Sequence, residues 1–152
     1  MTRIVLVRHG HVEGIAPERF RGRRDVDLSA LGIRQARATA QHIAQQWRPA
    51  ALYSSPLRRC LQTAAGIDCA GLEELNAARM ADVLRLICER HPQGTVVVVG
   101  HNACNRVLLL QALDRPLSAY WRVGQDPCAV SEIEISGTVI TERRMNETHP
   151  TD

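Results

Sequence analysis

Apolar positions along the chain alternate between two periods, and that alternation predicts the elements. Ile4-Val5-Leu6-Val7 is a short β-branched run without polar interruption, the pattern of a strand buried on both faces. After Ser29, placed as an N-cap, Ile33, Ala36, Ala40, Ile43, Ala44 and Trp47 recur at helical spacing and Pro49 lies just past the end. "ALYSS" (51–55) is a second strand, and Pro56 opens a helix over "LRRCLQTAA". A further helix near 77–90 carries Met80, Val83, Leu84, Ile87 and Cys88 on one stripe. Gly94 then breaks the chain into "TVVVVG", the clearest buried strand.

His101-Asn102 leads into the apolar helix "RVLLLQAL". "AVSEIEI" and "TVITERR" alternate apolar with polar around Ser136-Gly137, which predicts a hairpin at a sheet edge. The polar tail "NETHPTD" reads as loose. Strand and helix in alternation predict an α/β fold: a three-layer sandwich, its central sheet mainly parallel, with helices on both faces and an antiparallel edge. With 152 residues and no linker or repeat, the expectation is one domain spanning 1–152.

Composition changes this picture in few places. Aromatics are 3% of the chain, too few for base-stacking surfaces, so no nucleic-acid partner is expected. Every basic side chain other than histidine is arginine, a bias that genome composition explains for most positions. Five cysteines at 60, 69, 88, 104 and 128 make no C-x-x-C pair, which argues against a disulfide framework or structural zinc and for a reducing cytoplasm. No signal-peptide pattern and no membrane-spanning stretch is visible.

Three strand ends carry the chemistry: "VLV-RHG", "LYSSP-LRR" and "VVVVG-HN". In a parallel α/β sheet, ligands bind outside the carboxyl ends of the strands, so these ends deliver His and Arg to one crevice. Two histidines and at least two arginines suit phosphoryl transfer to an imidazole nucleophile, with fixed cations stabilising the transferring group. A carboxylic acid is still needed to protonate the leaving alkoxide.

"RHG", "RFRGRRDVDLSALGIRQA", "SSPLRRCLQTA" and "VVVVGHNACNR", in that order over nearly the whole chain, resemble the histidine phosphatase superfamily, in its phosphoglycerate-mutase-like phosphatase branch. The resemblance implies a metal-independent phosphatase for a small phosphorylated substrate, with no cofactor and no membrane partner. It places the phosphorylated nucleophile at His9, with Arg8 beside it as a phosphate clamp. The S-x-L-x-R pattern puts the second arginine at Arg59, not Arg58, and the second histidine is His101. "LEELN" matches the first half of the proton-donor motif and assigns the acid to Glu74. Arg21 and Gly22 are expected to border the substrate.

The sequence also departs from the family pattern. Val12 stands where Thr or Ser is common, and Asn102 follows the second histidine in place of glycine. The F-G-x-W-E-G continuation after "LEELN" is absent, with the helical segment that normally follows. This favours omission of a mobile segment near 67–77 over a trimmed family member. His11, His42 and His91 read as surface residues, and the cysteines as small core residues. A mutase, a protein phosphohistidine phosphatase and a non-catalytic phosphate-binding module are the rival functions.

Overall fold

The computed structural model describes residues 1–13, 25–69, 72–74 and 80–151. Its strands are β1 (Thr2–Arg8), β2 (Ala51–Ser54), β3 (Leu72–Glu74), β4 (Thr95–Gly100), β5 (Val130–Ser136) and β6 (Val139–Glu147). The helices are α1 (Ala30–Gln46), α2 (Arg58–Ala64), α3 (Met80–Arg90) and α4 (Asn102–Ala112), with a 3-10 turn at Leu117–Arg122. One sheet holds all six strands in the order β3-β2-β4-β1-β5-β6. The β1–β4, β2–β4 and β2–β3 pairs are parallel, and β5 and β6 form the antiparallel edge.

β1 and β4 are central, which explains their unbroken apolar runs: both faces of each are covered. Period-2 alternation sorts their side chains between two layers. Val5, Val7, Leu52, Val97 and Val99 pack with Ala40 and Ile43 of α1 and Cys60 and Ala64 of α2. Ile4, Leu6, Tyr53, Val96 and Val98 face Val83 and Ile87 of α3 and Leu108 to Leu110 of α4. The three-layer expectation is met.

Ser29 is the N-cap of α1, its hydroxyl accepting from Gly32 N at 3.0 Å. The buried stripe of α1 runs through Gly32, Ala36, Thr39, Ala40 and Ile43. Ile33 and Ala44, placed on the apolar face by spacing, are exposed. The stripe is turned toward Thr39 because its hydroxyl donates to the Cys128 carbonyl at 2.8 Å.

Other expectations need correction. β6 extends to Glu147 and His149 bonds to it, so the tail is anchored, not loose. His42 is largely buried against His149, and His91 lies 2.9 Å from the Tyr53 hydroxyl. His11 is half-buried, its Nδ1 2.7 Å from Ser29 Oγ and its amide donating to Gln35. Of the cysteines only Cys60 and Cys128 are buried; Cys69 and Cys88 are half-buried and Cys104 is exposed, and all five are free thiols.

The loop after β1 lies directly on the first turn of α1. A Cβ on Gly32 would stand 2.1 Å from the His11 carbonyl oxygen, and one on Gly10 would stand 2.8 Å from the Gly32 carbonyl. Both obstacles are backbone, so neither yields by rotating a side chain. Gly32→Ala is expected to lower stability by about 1–3 kcal/mol, measured as a shifted urea midpoint; an unchanged midpoint would refute the contact.

Candidate active site

Strand register builds the site. Arg8 is paired with Gly100, Ser54 with Val99, and Ser54 with Glu74, so the carboxyl ends of β1, β2, β3 and β4 terminate in one row. The ladder continues past β1, with His9 N donating to Gly100 O at 3.0 Å and Cys128 N to Arg8 O at 3.0 Å. Arg8 and His9 are therefore held by backbone on both sides.

Both are almost fully buried. Arg8 Nη1 donates to the Gln125 carbonyl. Gln125, itself buried, accepts from Asn105 Nδ2 at 3.0 Å. Asn105 sits one turn into α4 after His101, so the second histidine's helix and the Arg8 guanidinium share a strap. Gln125 carries no sequence signal, since an isolated amide in such a position looks like any other, and Asn105 is visible only as part of the quoted "VVVVGHNACNR".

His9 Nδ1 lies 2.8 Å from the Gly10 carbonyl oxygen. A carbonyl only accepts, so Nδ1 carries the hydrogen, and in the neutral ring the lone pair is on Nε2. Burial foremost, opposed by that hydrogen bond, and then the charges of Arg8, His101 and Arg59 push His9 down to about 3. The His101 ring stands edge-on at 5.6 Å between centroids, its Nε2 2.7 Å from Ser55 Oγ. Burial, then Arg59 and Arg8, push it down to about 4. Two neutral imidazoles thus sit within the field of two guanidinium charges, an arrangement that attracts an anion and leaves a nitrogen lone pair to attack it.

Arg59 is 3% exposed, in the first turn of α2. Thr63 Oγ1 donates to the Arg59 carbonyl at 2.7 Å and accepts from Gly10 N at 3.0 Å, tying that helix to the loop of His9. Arg58 points elsewhere: it is 57% exposed and paired with Asp27 at 2.7 Å. Cys60 Sγ lies 3.7 Å from His101 Nε2, but burial pushes its thiol up to about 12, so it stays protonated.

The structure thus brings together Arg8, His9, Arg59 and His101. Glu74 is the last residue of β3, at the end of the same row, and its side chain lies outside the described part. Arg21 and Gly22 lie outside the described residues, as do residues 75–79 after Glu74. Val12 is fully buried with Leu28, Ala36 and Cys128, which accounts for the lost hydroxyl. Asn102 accepts from Arg106 Nε at 2.6 Å, and Ser55 and Thr63 are site residues visible only as parts of the quoted motif.

Comparison with known proteins agrees with this architecture. The profile of the histidine phosphatase superfamily (branch 1) matches residues 4–76 and 71–148. The metal-independent phosphoserine phosphatase of Arabidopsis thaliana is 44% identical over 64 residues, covering 42% of this chain and 27% of that protein. Phosphoserine phosphatase 1 of Hydrogenobacter thermophilus is 25% identical over 185 positions, covering 89% of this chain and 87% of the other. The glucosyl-3-phosphoglycerate phosphatase of Mycolicibacterium vanbaalenii is 45% identical over 67 residues, covering 44% of this chain and 29% of that one. The alignments with the Arabidopsis and Mycolicibacterium enzymes span under a third of each relative's length. In fold, the phosphoserine phosphatase of Entamoeba histolytica in complex with 3-phosphoglyceric acid superposes with a TM-score of 0.87 at 21% identity, over 97% of this chain and 98% of that one.

An imidazole buried neutral takes up its proton on unfolding between its folded value and the ordinary 6.5. The unfolded state binds more protons there, so stability rises with pH from about 3 to 6.5 and is lost on acidification through that window. In the free protein, His9 and His101 ring resonances should not titrate between pH 8 and 5 by NMR. A midpoint near 6.5 for either would overturn the assignment.

Proposed function

Because the chain belongs to the histidine phosphatase superfamily, we propose that it hydrolyses a small phosphomonoester through a phosphohistidine at His9, without a metal ion. The observation that carries this reading is the Nδ1–H bond to Gly10, which leaves Nε2 as the nucleophile beside two buried arginines. The lone pair of Nε2 attacks phosphorus as the ester P–O bond breaks, and Glu74 gives its proton to the departing alkoxide. Arg8, Arg59 and His101 hold the equatorial oxygens, where charge is greatest. Water then attacks phosphorus, the P–N bond breaks, and the Glu74 carboxylate takes the water's proton. Inorganic phosphate leaves and His9 is restored. Arg21 and Gly22 would border the substrate's alcohol portion. No nucleic-acid or membrane partner enters this reading, and a cytoplasmic setting suits the free thiols.

The relatives' printed substrates, phosphoserine and glucosyl-3-phosphoglycerate, put small phosphorylated metabolites first among candidates. We further propose one domain whose relatives carry a segment this sequence lacks after Glu74. Two matches to the family profile overlap only at 71–76, and the Hydrogenobacter alignment needs 185 positions to cover 89% of 152 residues. An intact mass above that of 152 residues, for the protein from its natural source, would reveal the segment.

Phosphate release in excess chelator should be abolished in His9→Ala. Glu74→Gln should slow the first-turnover release of alcohol from alkyl phosphates by ~10²–10⁴-fold while sparing the first-turnover burst of p-nitrophenol from p-nitrophenyl phosphate, whose leaving group needs no proton. Equal losses on both would remove Glu74 from the role of acid. Arg59→Ala should weaken phosphate binding about 10- to 100-fold, whereas Arg58→Ala, losing only a surface ion pair, should change it by no more than about twofold. The mutase alternative is tested on 3-phosphoglycerate, where isomer formation in place of phosphate release would displace the phosphatase reading.

A further inference from the structure

Away from these residues, three side chains distant in sequence converge. His42 comes from the last turns of α1, Glu147 ends β6, and His149 follows two residues later. Their donor atoms all lie within 4.8 Å of one another, and no other group of three or more such ligands forms among the described residues. We propose that His42, Glu147 and His149 form a binding site for a divalent transition-metal ion of the zinc class, taking both Nε2 atoms and one carboxylate oxygen and completing its coordination with water.

Spacing is the first argument. A tetrahedral zinc with bonds of about 2.0–2.1 Å separates its ligand atoms by about 3.3–3.4 Å. Glu147 Oε1 lies 3.5 Å from His42 Nε2 and 3.1 Å from His149 Nε2. The two rings are stacked at 3.7 Å between centroids, 28° from parallel, so both present their Nε2 to the same oxygen. A modest rotation of one ring about its own bonds closes the third edge.

A cation already stands at this point. Arg144 Nη1 lies 3.2 Å from His42 Nε2 and 3.1 Å from Glu147 Oε1. A guanidinium only donates, so His42 Nε2 carries a lone pair, as a metal ligand must. The metal ion replaces one N–H of the guanidinium, which keeps its other anchors: Glu132 at 3.0 Å, Gln46 at 3.2 Å and the Trp47 ring. His149 now gives its Nε2 hydrogen to Glu147, while its buried Nδ1 has no hydrogen-bond partner. Ligation through Nε2 moves that hydrogen to Nδ1. Two imidazoles with one carboxylate, from chain segments a hundred residues apart, make a closed clamp between α1 and the tail.

The test is calorimetric titration of the full chain with zinc chloride, with cobalt chloride as a spectroscopic probe. One equivalent should bind, raising the thermal midpoint and giving the visible absorption of tetrahedral cobalt. His42→Ala and His149→Ala should each weaken that equivalent by at least about 10–100-fold, with far-UV circular dichroism unchanged. His149→Gln, which keeps the bulk of the tail, should do the same. Arg144→Gln, which removes the competing charge, should tighten it. Titrations unchanged in the two alanine variants would place the ion at the cysteines or at His9 and His101 and overturn the proposal. A folded wild type that binds no zinc would overturn it too.

Discussion

Parallel pairing of β1 with β4, from Arg3 opposite Thr95 to Arg8 opposite Gly100, is the constraint on which the rest of the molecule depends. It places two strand ends, and therefore His9 and His101, side by side at the same edge. Because both strands are central, their apolar runs lock this register: a one-residue slip would turn every inward valine to the opposite layer. β2 and β3 extend the row to Ser55 and Glu74, and β5 closes the other side through Cys128 and Ala129.

On that edge the protein buries two arginines and keeps two histidines uncharged. Concentrating positive charge in a poorly hydrated place is costly, and two devices offset the cost. The Gln125 carbonyl, the Asn105 amide and the Thr63 hydroxyl tie the cationic residues to helices and loop, so the cage is rigid before a ligand arrives. Burial first, and then the arginine charges, keep protons off His9 and His101, so a cationic site and an unprotonated nitrogen coexist. Both properties follow from one cause, removal of water from the strand ends.

Much of this was legible in the sequence because it rests on pattern. Continuous β-branched runs marked β1 and β4, and residues at their carboxyl ends had only one place to go. The choice of Arg59 over Arg58 rests on motif spacing; the structure buries Arg59 and leaves Arg58 exposed in an ion pair with Asp27. What stayed hidden was set by tertiary contact. Ile33 fits the helical stripe by spacing, yet a hydrogen bond from Thr39 turns the helix. His42 and the tail look solvent-facing because nothing local shows that β6 continues far enough to bring His149 onto α1.

The candidate site draws on residues 8–10, 55–63, 74, 101–105 and 125, and joining them requires contacts between distant parts of the chain, such as Arg8 with Gly100 and Arg8 with Gln125. Contacts between residues so far apart close large loops before they return any stabilisation, which slows folding. No early fragment of the growing chain holds both halves of the cage. The cage is therefore complete only once the segment leading into β5 has docked beside β1, so the burial of Arg8 and His9 after dilution from denaturant times the closing of that side of the sheet.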